Sequence, residues 1–367
     1  MTPPAATVAA VLPDATALDR LRVALARGAT LVEPRPRAGV WDWEPVDGAE
    51  PVPWNAPRPP PSVKRFFFPA REALLHWRGD TAVEATPPAG RLVLFGLRPC
   101  DLAALGCQDR FFARDPWYRR RREPATIVAV NCLDACPGGF CRDLAAGPFA
   151  DGGFDLLLTP LPDGRVVVAS GGARGSEALE RARFTARPLD AATGAAIGVA
   201  RAAAEATFPA RPFIAAAIAR INANPGRTPI AETEWQALGP ACFACTGCTN
   251  VCPTCSCFTV VDEPASGGAL TNDERTATDG PPAAAAAGTR ARYWDSCLLE
   301  GFQREASRHN PSPTAGDRVR RFWYHKLSDD FADELGRRGC VGCGRCDVAC
   351  LGAIGATNVL AALGRRA

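Results

Sequence analysis

The sequence predicts an α+β protein in which an N-terminal α/β domain precedes a mostly helical domain that holds two metal clusters. Three observations predict this organisation. Short apolar runs alternate with helical stretches up to residue 186, alanine-rich helical periodicity fills residues 187–238, and two cysteine runs of equal spacing lie in residues 239–367. We therefore expect an α/β domain (1–186), a helical connector (187–238) and an α-helical ferredoxin-type domain (239–367) with a long insertion between its cysteine runs.

The N-terminal elements follow from periodicity. Residues 14–27 have the spacing of an amphipathic helix capped by Asp14, and the proline-rich residues 49–63 predict an extended surface loop. Four short apolar runs predict strands, with a helix at about 101–112 between the first two and a hairpin joining the last two. The runs are residues 91–96, 126–130, 155–158 and 165–169.

The connector is expected to end in a helix with Thr228 as its N-cap and Pro229 at its first position. The insertion between the cysteine runs spans residues 253–339, which is 87 residues. We expect a loop over its low-complexity tract (281–288) and a helix around residues 294–302.

Both cysteine runs have the spacing C-x2-C-x2-C-x3-C, with which bacterial ferredoxins hold [4Fe–4S] clusters. The first run consists of Cys242, Cys245, Cys248 and Cys252, and the second of Cys340, Cys343, Cys346 and Cys350. In two-cluster proteins the fourth cysteine of a run ligates the other cluster. We therefore predict a first quartet of ligands (Cys242, Cys245, Cys248, Cys350) and a second quartet (Cys340, Cys343, Cys346, Cys252).

Zinc is the alternative for these runs, but a zinc site needs only four ligands in two pairs and would leave thiols unused. A disulfide framework is less compatible with a chain of this length. Two [4Fe–4S] clusters are therefore the prediction for this domain.

A further group of cysteines lies in the α/β domain. Cys100 follows the first predicted strand and Cys132 the second, so adjacent strands would bring both to one sheet edge. Cys136 and Cys141 lie on the next, glycine-containing loop. A third quartet (Cys100, Cys132, Cys136, Cys141) holding a third [4Fe–4S] cluster is our hypothesis, and the alternative is a set of buried thiols that only pack. For Cys255, Cys257 and Cys297, packing near the first run is favoured over ligation.

Composition excludes several function classes. The formal net charge of +3 gives no sign of a nucleic-acid partner. The N-terminus lacks a signal-peptide pattern and no long apolar window indicates a membrane span, so sixteen cysteines predict a cytoplasmic, reducing location. No dinucleotide fingerprint or P-loop is present, the three histidines are scattered, and we assign no catalytic residue.

Several motifs together resemble one protein family. They are residues 95–104, 115–123, 131–132, 140–141, 153–156, 252–258, 293–297, 309–310, 324–326 and 340–346. The family comprises the beta subunits of cytoplasmic sulfhydrogenases, which are NiFe hydrogenases, and the corresponding iron–sulfur subunits of anaerobic sulfite reductases. The resemblance covers roughly residues 65–355. The chain departs from the family at Gly139, where members often have cysteine, and at Leu351, where proline is usual.

The resemblance implies an electron-transfer role within a hetero-oligomer. Two partner subunits would flank the chain: one contains flavin and oxidises NAD(P)H, and the other is catalytic and acts on hydrogen, sulfite, polysulfide or another substrate. Either direction of electron flow is open. The alternatives are a self-contained reductase of a sulfur compound, with its site on the N-terminal domain, and an adaptor braced by its clusters. Residues 119–122 would dock a partner or form a solvated face, and Arg345 would raise the potential of the second cluster or face water.

Overall fold

The computed structural model describes residues 8–14, 16–48, 56–86, 90–223, 230–265 and 287–365. These residues form a mixed α+β fold with two sheets, as the sequence predicts. The strands are β1 (Val8–Leu12), β2 (Thr30–Arg37), β3 (Val40–Val46), β4 (Arg71–Arg78), β5 (Thr81–Glu84), β6 (Leu92–Leu97), β7 (Thr126–Val130), β8 (Leu156–Pro160), β9 (Val166–Ser170), β10 (Arg187–Pro188), β11 (Phe258–Pro264) and β12 (Ala287–Trp294).

The helices are α1 (Ala17–Ala26), α2 (Lys64–Phe67), α3 (Pro99–Phe111), α4 (Pro116–Arg122), α5 (Ala173–Arg181), α6 (Ala191–Ala206), α7 (Pro212–Ile221), α8 (Glu232–Leu238), α9 (Gly247–Val251), α10 (Glu300–Gln303), α11 (Ala315–Leu327), α12 (Ala332–Leu335), α13 (Arg345–Ala349) and α14 (Ala356–Gly364). Short 3-10 turns cover Cys141–Leu144, Gly239–Ala241 and Asp329–Phe331.

The larger sheet has eight strands in the order β10-β1-β9-β8-β7-β6-β2-β3. Its centre, β2-β6-β7-β8, is parallel, and the flanking pairs are antiparallel. All five residues of β7 are buried, since helices cover both faces of the sheet: Leu21 and Leu179 pack on one face, and Phe67 and Leu102 on the other. The four predicted strands, the helix between the first two and the β8–β9 hairpin are confirmed.

The first helix shows why a local pattern was sufficient there. The carboxylate of Asp14 accepts hydrogen bonds from the backbone N–H groups of Thr16 (2.9 Å) and Ala17 (3.2 Å), which satisfies donors at the start of α1. Leu18, Leu21 and Leu25 then bury the apolar face against the sheet.

The second sheet was not predicted. Its order is β11-β12-β4-β5, and all pairs are antiparallel. It therefore joins strands from residues 71–84 to strands from the insertion, across the predicted domain division. The predicted helix around 294–302 is wrong: Trp294 ends β12, and only Glu300–Gln303 are helical. The reason is that β12 lies between two partner strands, and such tertiary pairing overrides local helical spacing.

The connector folds into α6, α7 and α8, as expected, and α7 packs against α14 in a second core with Ile214, Ile218 and Leu360. Thr228 and Pro229 lie outside the described residues, but α8 begins at Glu232 after Ala231, so the predicted helix start is wrong. Of the tract 281–288, residues 281–286 lie outside the described residues and the last two belong to β12.

The proline-rich segment is described from residue 56, and that part has no regular structure. It does not run over the surface, however, because Ala56, Val63 and the helix residue Lys64 that follows are almost fully buried. The carbonyl oxygens of Ala56 and Pro59 accept hydrogen bonds from Arg98 and Arg345. The predicted surface loop is therefore wrong in its described part: it is packed between the larger sheet and the second cysteine run.

Candidate metal centres

The first quartet surrounds one cavity. Its wall contains the four cysteines together with apolar side chains, among them Leu298, Phe322 and Trp323. Ala244 and Thr246 adopt positive φ (50° and 61°), so the chain turns tightly between its cysteines before α9 carries Cys248. Burial raises the pKa of the Cys248 thiol to about 12, whereas Cys245 is exposed at the protein surface. One side of this cavity is therefore open to a partner.

The second quartet surrounds a neighbouring cavity. Cys252 comes from the end of α9 and Cys346 from α13, and the cavity shares Phe322 and Trp323 with the first. Burial raises the pKa of Cys340 to about 12. The two cysteine runs thus exchange their fourth members in space, as the spacing predicts, although ligation itself remains a prediction.

The third quartet also meets around one cavity. Cys100 lies in the first turn of α3 and Cys132 directly follows β7; since β6 and β7 are adjacent and parallel, both reach the same sheet edge. Cys136 and Cys141 lie on the following loop, which is tied back where Cys132 N–H donates to the carbonyl of Pro148 (3.1 Å). Burial raises the pKa of both Cys132 and Cys141 to about 12.

The second and third cavities are in contact, because Cys343 lines both. The N–H of Phe140 donates to the carbonyl of Gly342 (2.7 Å), which fastens the loop of the third quartet to the second run. Gly342 and Gly344 have φ of +64° and +73°, and a Cβ at either would lie 2.7 or 2.5 Å from backbone of that loop. Only glycine allows this approach. The three cavities therefore form one series.

Two buried lysines adjoin the second quartet. Lys64 and Lys326 are the only lysines of the chain, and both are about 95% or more buried. The ammonium of Lys64 donates to the carbonyls of Thr249 (2.9 Å) and Cys255 (3.2 Å), and it lies 4.1 Å from the centroid of the Trp294 ring. Sequence analysis missed these residues, although the presence of only two lysines beside 40 arginines is a signal that could have indicated them.

Lys326 is linked to a cluster cysteine through a hydroxyl. Its ammonium donates to Thr254 Oγ1 (2.9 Å), which lies 3.2 Å from Cys252 Sγ and donates to the carbonyl of Gly339 (2.6 Å). Burial alone would lower the pKa of Lys326, but the charges of Cys252, Cys255 and other thiolates outweigh it and raise the pKa. Lys326 thus stays protonated where thiolates are present.

Arg345 does not face water, so that alternative is wrong. The side chain is 2% exposed; Nη1 lies 2.7 Å from Asp101 Oδ1, and Nε donates to the carbonyl of Pro59 (3.1 Å). Asp101 belongs to α3, next to Cys100. The guanidinium therefore sits between the second and third quartets with a carboxylate as counter-charge.

The remaining cysteines pack near the second quartet. Cys255 and Cys297 are buried in the second core, and Cys107 lies on α3. A hydrogen bond from Cys297 lowers the pKa of Cys257 to about 6, even though burial opposes the shift. None of these four lines the three cavities. This arrangement matches the packing expected for Cys255, Cys257 and Cys297.

The basic run on α4 is committed to ion pairs within the chain. Each of its four arginines pairs with a carboxylate: Arg119 with Glu123, Arg120 with Glu84, Arg121 with Glu72 and Arg122 with Asp109. The neutralised run favours the interpretation as a surface face over docking of an acidic partner.

The residues present fit thiolate-bound clusters. Each cavity brings four cysteines together, and the hydrogen bonds described for both lysine ammoniums go to neutral oxygens, so thiolates would supply the negative charge that buried cations require. Within the described ranges, no three His, Cys, Asp or Glu side chains are close enough to hold a single metal ion. No helix in those ranges has the length and apolar character of a membrane span.

Comparison with known proteins gives two matches. Residues 241–354 match the 4Fe-4S dicluster domain family. Over 302 residues the chain is 30% identical to the sulfhydrogenase 2 subunit beta of Pyrococcus furiosus, which covers 81% of this chain and 81% of that protein. No solved structure matches at a significant level.

Proposed function

The chain belongs to the family of sulfhydrogenase beta subunits, and on this premise we propose that it relays electrons from a flavin-containing NAD(P)H-oxidising subunit to a catalytic subunit, or in reverse. The catalytic subunit would be a hydrogenase or a sulfite or sulfur reductase. The observation that carries the proposal is the series of three adjoining cavities, each surrounded by four cysteines. When bound, [4Fe–4S] clusters accept and donate electrons at potentials set by their surroundings.

We assign the ligands by quartet. The first and second quartets would each hold one [4Fe–4S] cluster of the dicluster domain, and the third would hold an additional one. Because burial raises the pKa of Cys132, Cys248 and Cys340 to about 12, these thiols keep their protons until a metal replaces them. Gly139, where family members often have cysteine, lies beside Cys136, which supports Cys136 as the ligand from this loop.

The surrounding residues keep water away and balance charge. Phe322 and Trp323 separate the first and second cavities with apolar rings and are 3% exposed. Lys64 and Lys326 place two positive charges beside the second quartet, which favours the more negative, reduced form of a cluster held there. The third quartet receives the same kind of support from Arg345, whose charge is partly offset by Asp101.

The exposed end of the series is the place where we expect a partner subunit. Cys245 of the first quartet is exposed, and beside it Phe243 and Leu351 are 70% and 79% exposed. Large apolar side chains in a cluster at the surface are typical of protein interfaces. Leu351 replaces the usual proline of the family and adds to this apolar surface. We place the complex in the cytoplasm, where the sixteen free cysteines stay reduced.

The test is anaerobic affinity purification from the native host, with mass identification of partners and analysis for nickel and sirohaem. A flavoprotein and a catalytic subunit should co-purify; nickel would indicate a hydrogenase, and sirohaem a sulfite reductase. Phe243→Glu should reduce recovery of one partner. Val199→Glu is the matched control, because Val199 is 62% exposed on α6 and away from the cysteines. A chain that purifies alone would contradict the proposal.

One observation favours a second function, a self-contained reductase. A cavity of about 370 Å³ adjoins the third quartet and is lined by Cys132 and Cys136. In that case the isolated chain would turn over a sulfur compound with a reduced viologen as electron donor. No turnover by a fully loaded chain would exclude this function.

A further inference from the structure

The large cavity beside the third quartet has a cationic wall. Three arginines line it, Arg58 from the proline-rich segment, Arg98 before α3 and Arg345 from α13. They come from three distant parts of the chain, so the fold itself assembles this charge. The carboxylates nearby are the exposed Asp134, which also lines the cavity, and Asp101, which pairs with Arg345.

Two of these guanidiniums have donors that nothing described satisfies. Nε and Nη1 of Arg58 and Nη2 of Arg345 are buried without a hydrogen-bond partner among the described residues. Arg345 is 2% exposed as a whole. Buried polar groups without partners cost free energy, and buried charges cost more, so such donors at a cavity wall indicate a missing acceptor. Arg98, in contrast, already donates to the carbonyl of Ala56.

The remaining wall is apolar. Leu133 and Val348 are exposed by 38% and 66%, and Pro57, Pro60 and Pro137 complete the rim. A volume of about 370 Å³ equals that of about twelve water molecules, more than a bare inorganic anion needs. Cavities of this size usually hold organic molecules that are oriented by a few polar groups.

We propose that this cavity binds a small anionic ligand whose oxyanion group, a phosphate or a chemically similar one, accepts hydrogen bonds from Arg58 and Arg345. Guanidinium groups suit this role because their fixed fork of donors matches the oxygens of an oxyanion. The ligand would lie against Cys132 and Cys136, next to the third quartet. The site is thus distinct from the exposed surface at the first quartet, and its existence does not depend on the electron-relay proposal.

The experiment is anaerobic isothermal titration calorimetry on the purified, oxidised holo-protein with inorganic phosphate, 5′-AMP and adenosine. AMP is redox-inert, and adenosine differs from it only by the phosphate. We expect AMP to bind, adenosine to bind at least tenfold more weakly, and Arg58→Gln to weaken AMP by about tenfold or more, as loss of a charge-assisted hydrogen bond would. Arg119→Gln, which removes an exposed arginine elsewhere, should leave the affinity unchanged.

The two phosphate probes distinguish the source of the oxyanion. Phosphate binding as tightly as AMP would identify a free oxyanion, and tighter AMP binding one carried by an organic group; both results support the site if Arg58→Gln weakens them. If Arg58→Gln loses iron or does not fold, Val348→Glu places a negative charge at the exposed rim and should weaken binding instead. No binding of either phosphate probe, or equal binding of AMP and adenosine, would overturn the proposal.

Discussion

Arg345 Nη1 lies 2.7 Å from Asp101 Oδ1, and the two side chains are 1% and 0% exposed. The arginine belongs to the second cysteine run and the aspartate to α3 of the α/β domain, next to Cys100. One buried ion pair therefore joins the dicluster part of the chain to the third quartet. Because both charges are buried, each acts on the neighbouring cysteines at low effective dielectric.

The ion pair should tune the second and third clusters in opposite directions when either member is removed. Asp101→Asn leaves the cation of Arg345 uncompensated and should raise the reduction potentials, whereas Arg345→Gln should lower them, each on the order of 50 mV. A redox titration followed by EPR measures both variants. The exposed Arg119→Gln serves as control with no shift. Equal or same-sign shifts in both variants would refute this role for the pair.

Lys326 should raise the potential of the second cluster specifically. Lys326→Met removes a buried charge that is connected to Cys252 through Thr254, and methionine keeps similar bulk. We expect a lower potential for the second cluster and little change for the first. Thr254→Val, which removes the connecting hydroxyl but keeps the charge, should give a smaller shift. An unchanged EPR-monitored potential in Lys326→Met would show that the charge is screened.

Cysteine substitutions should separate ligands from packing residues. Cys136→Ala should lose about four iron atoms per chain, the content of one [4Fe–4S] cluster, because it removes a member of the third quartet. Cys107→Ala, on the same domain but outside the three cavities, should keep the full iron content. Iron and acid-labile sulfide assays decide between them. Full iron in Cys136→Ala would leave the third quartet as packed thiols.

His325 should make the protein less stable in mild acid. Burial lowers its pKa from 6.5 to about 4, and the positive charges of Lys326 and Arg321 add to the shift. The unfolded chain therefore binds this proton first, so stabilisation present above pH 6.5 is lost as the pH falls towards 4, by an amount on the order of 2 kcal/mol.

His325→Gln cannot take up this proton and should lose less stability between pH 7 and pH 5. Anaerobic chemical unfolding at both pH values measures the difference for each protein, and comparing them cancels the acid sensitivity that the clusters share. Identical losses in both proteins would show that His325 does not carry the effect.

The parts that local sequence determines were predictable. Spacing alone gave the two exchanged quartets of cysteines, and the order of strand and helix gave the common edge at Cys100 and Cys132. The confirmed strands are short apolar runs between turn residues, a pattern that reflects burial in the sheet.

What could not be predicted depends on pairing between distant residues. The second sheet pairs β4 with β12, so Leu75 lies opposite Arg290, and no local pattern encodes that register. The same applies to Lys64 and Arg58, which reach the cysteines only because the proline-rich segment is packed inside the protein. Their roles become visible only when the fold brings these residues to the cavities.

The most direct test of the account is the iron and acid-labile sulfide content of the anaerobically purified chain, combined with EPR of the reduced protein. Three quartets predict about twelve iron and twelve sulfide per chain, with spectra of interacting [4Fe–4S] clusters. About eight of each would contradict the third cluster and keep the dicluster relay. Zinc in place of iron, or clusters that accept no electrons, would contradict the proposed electron relay itself.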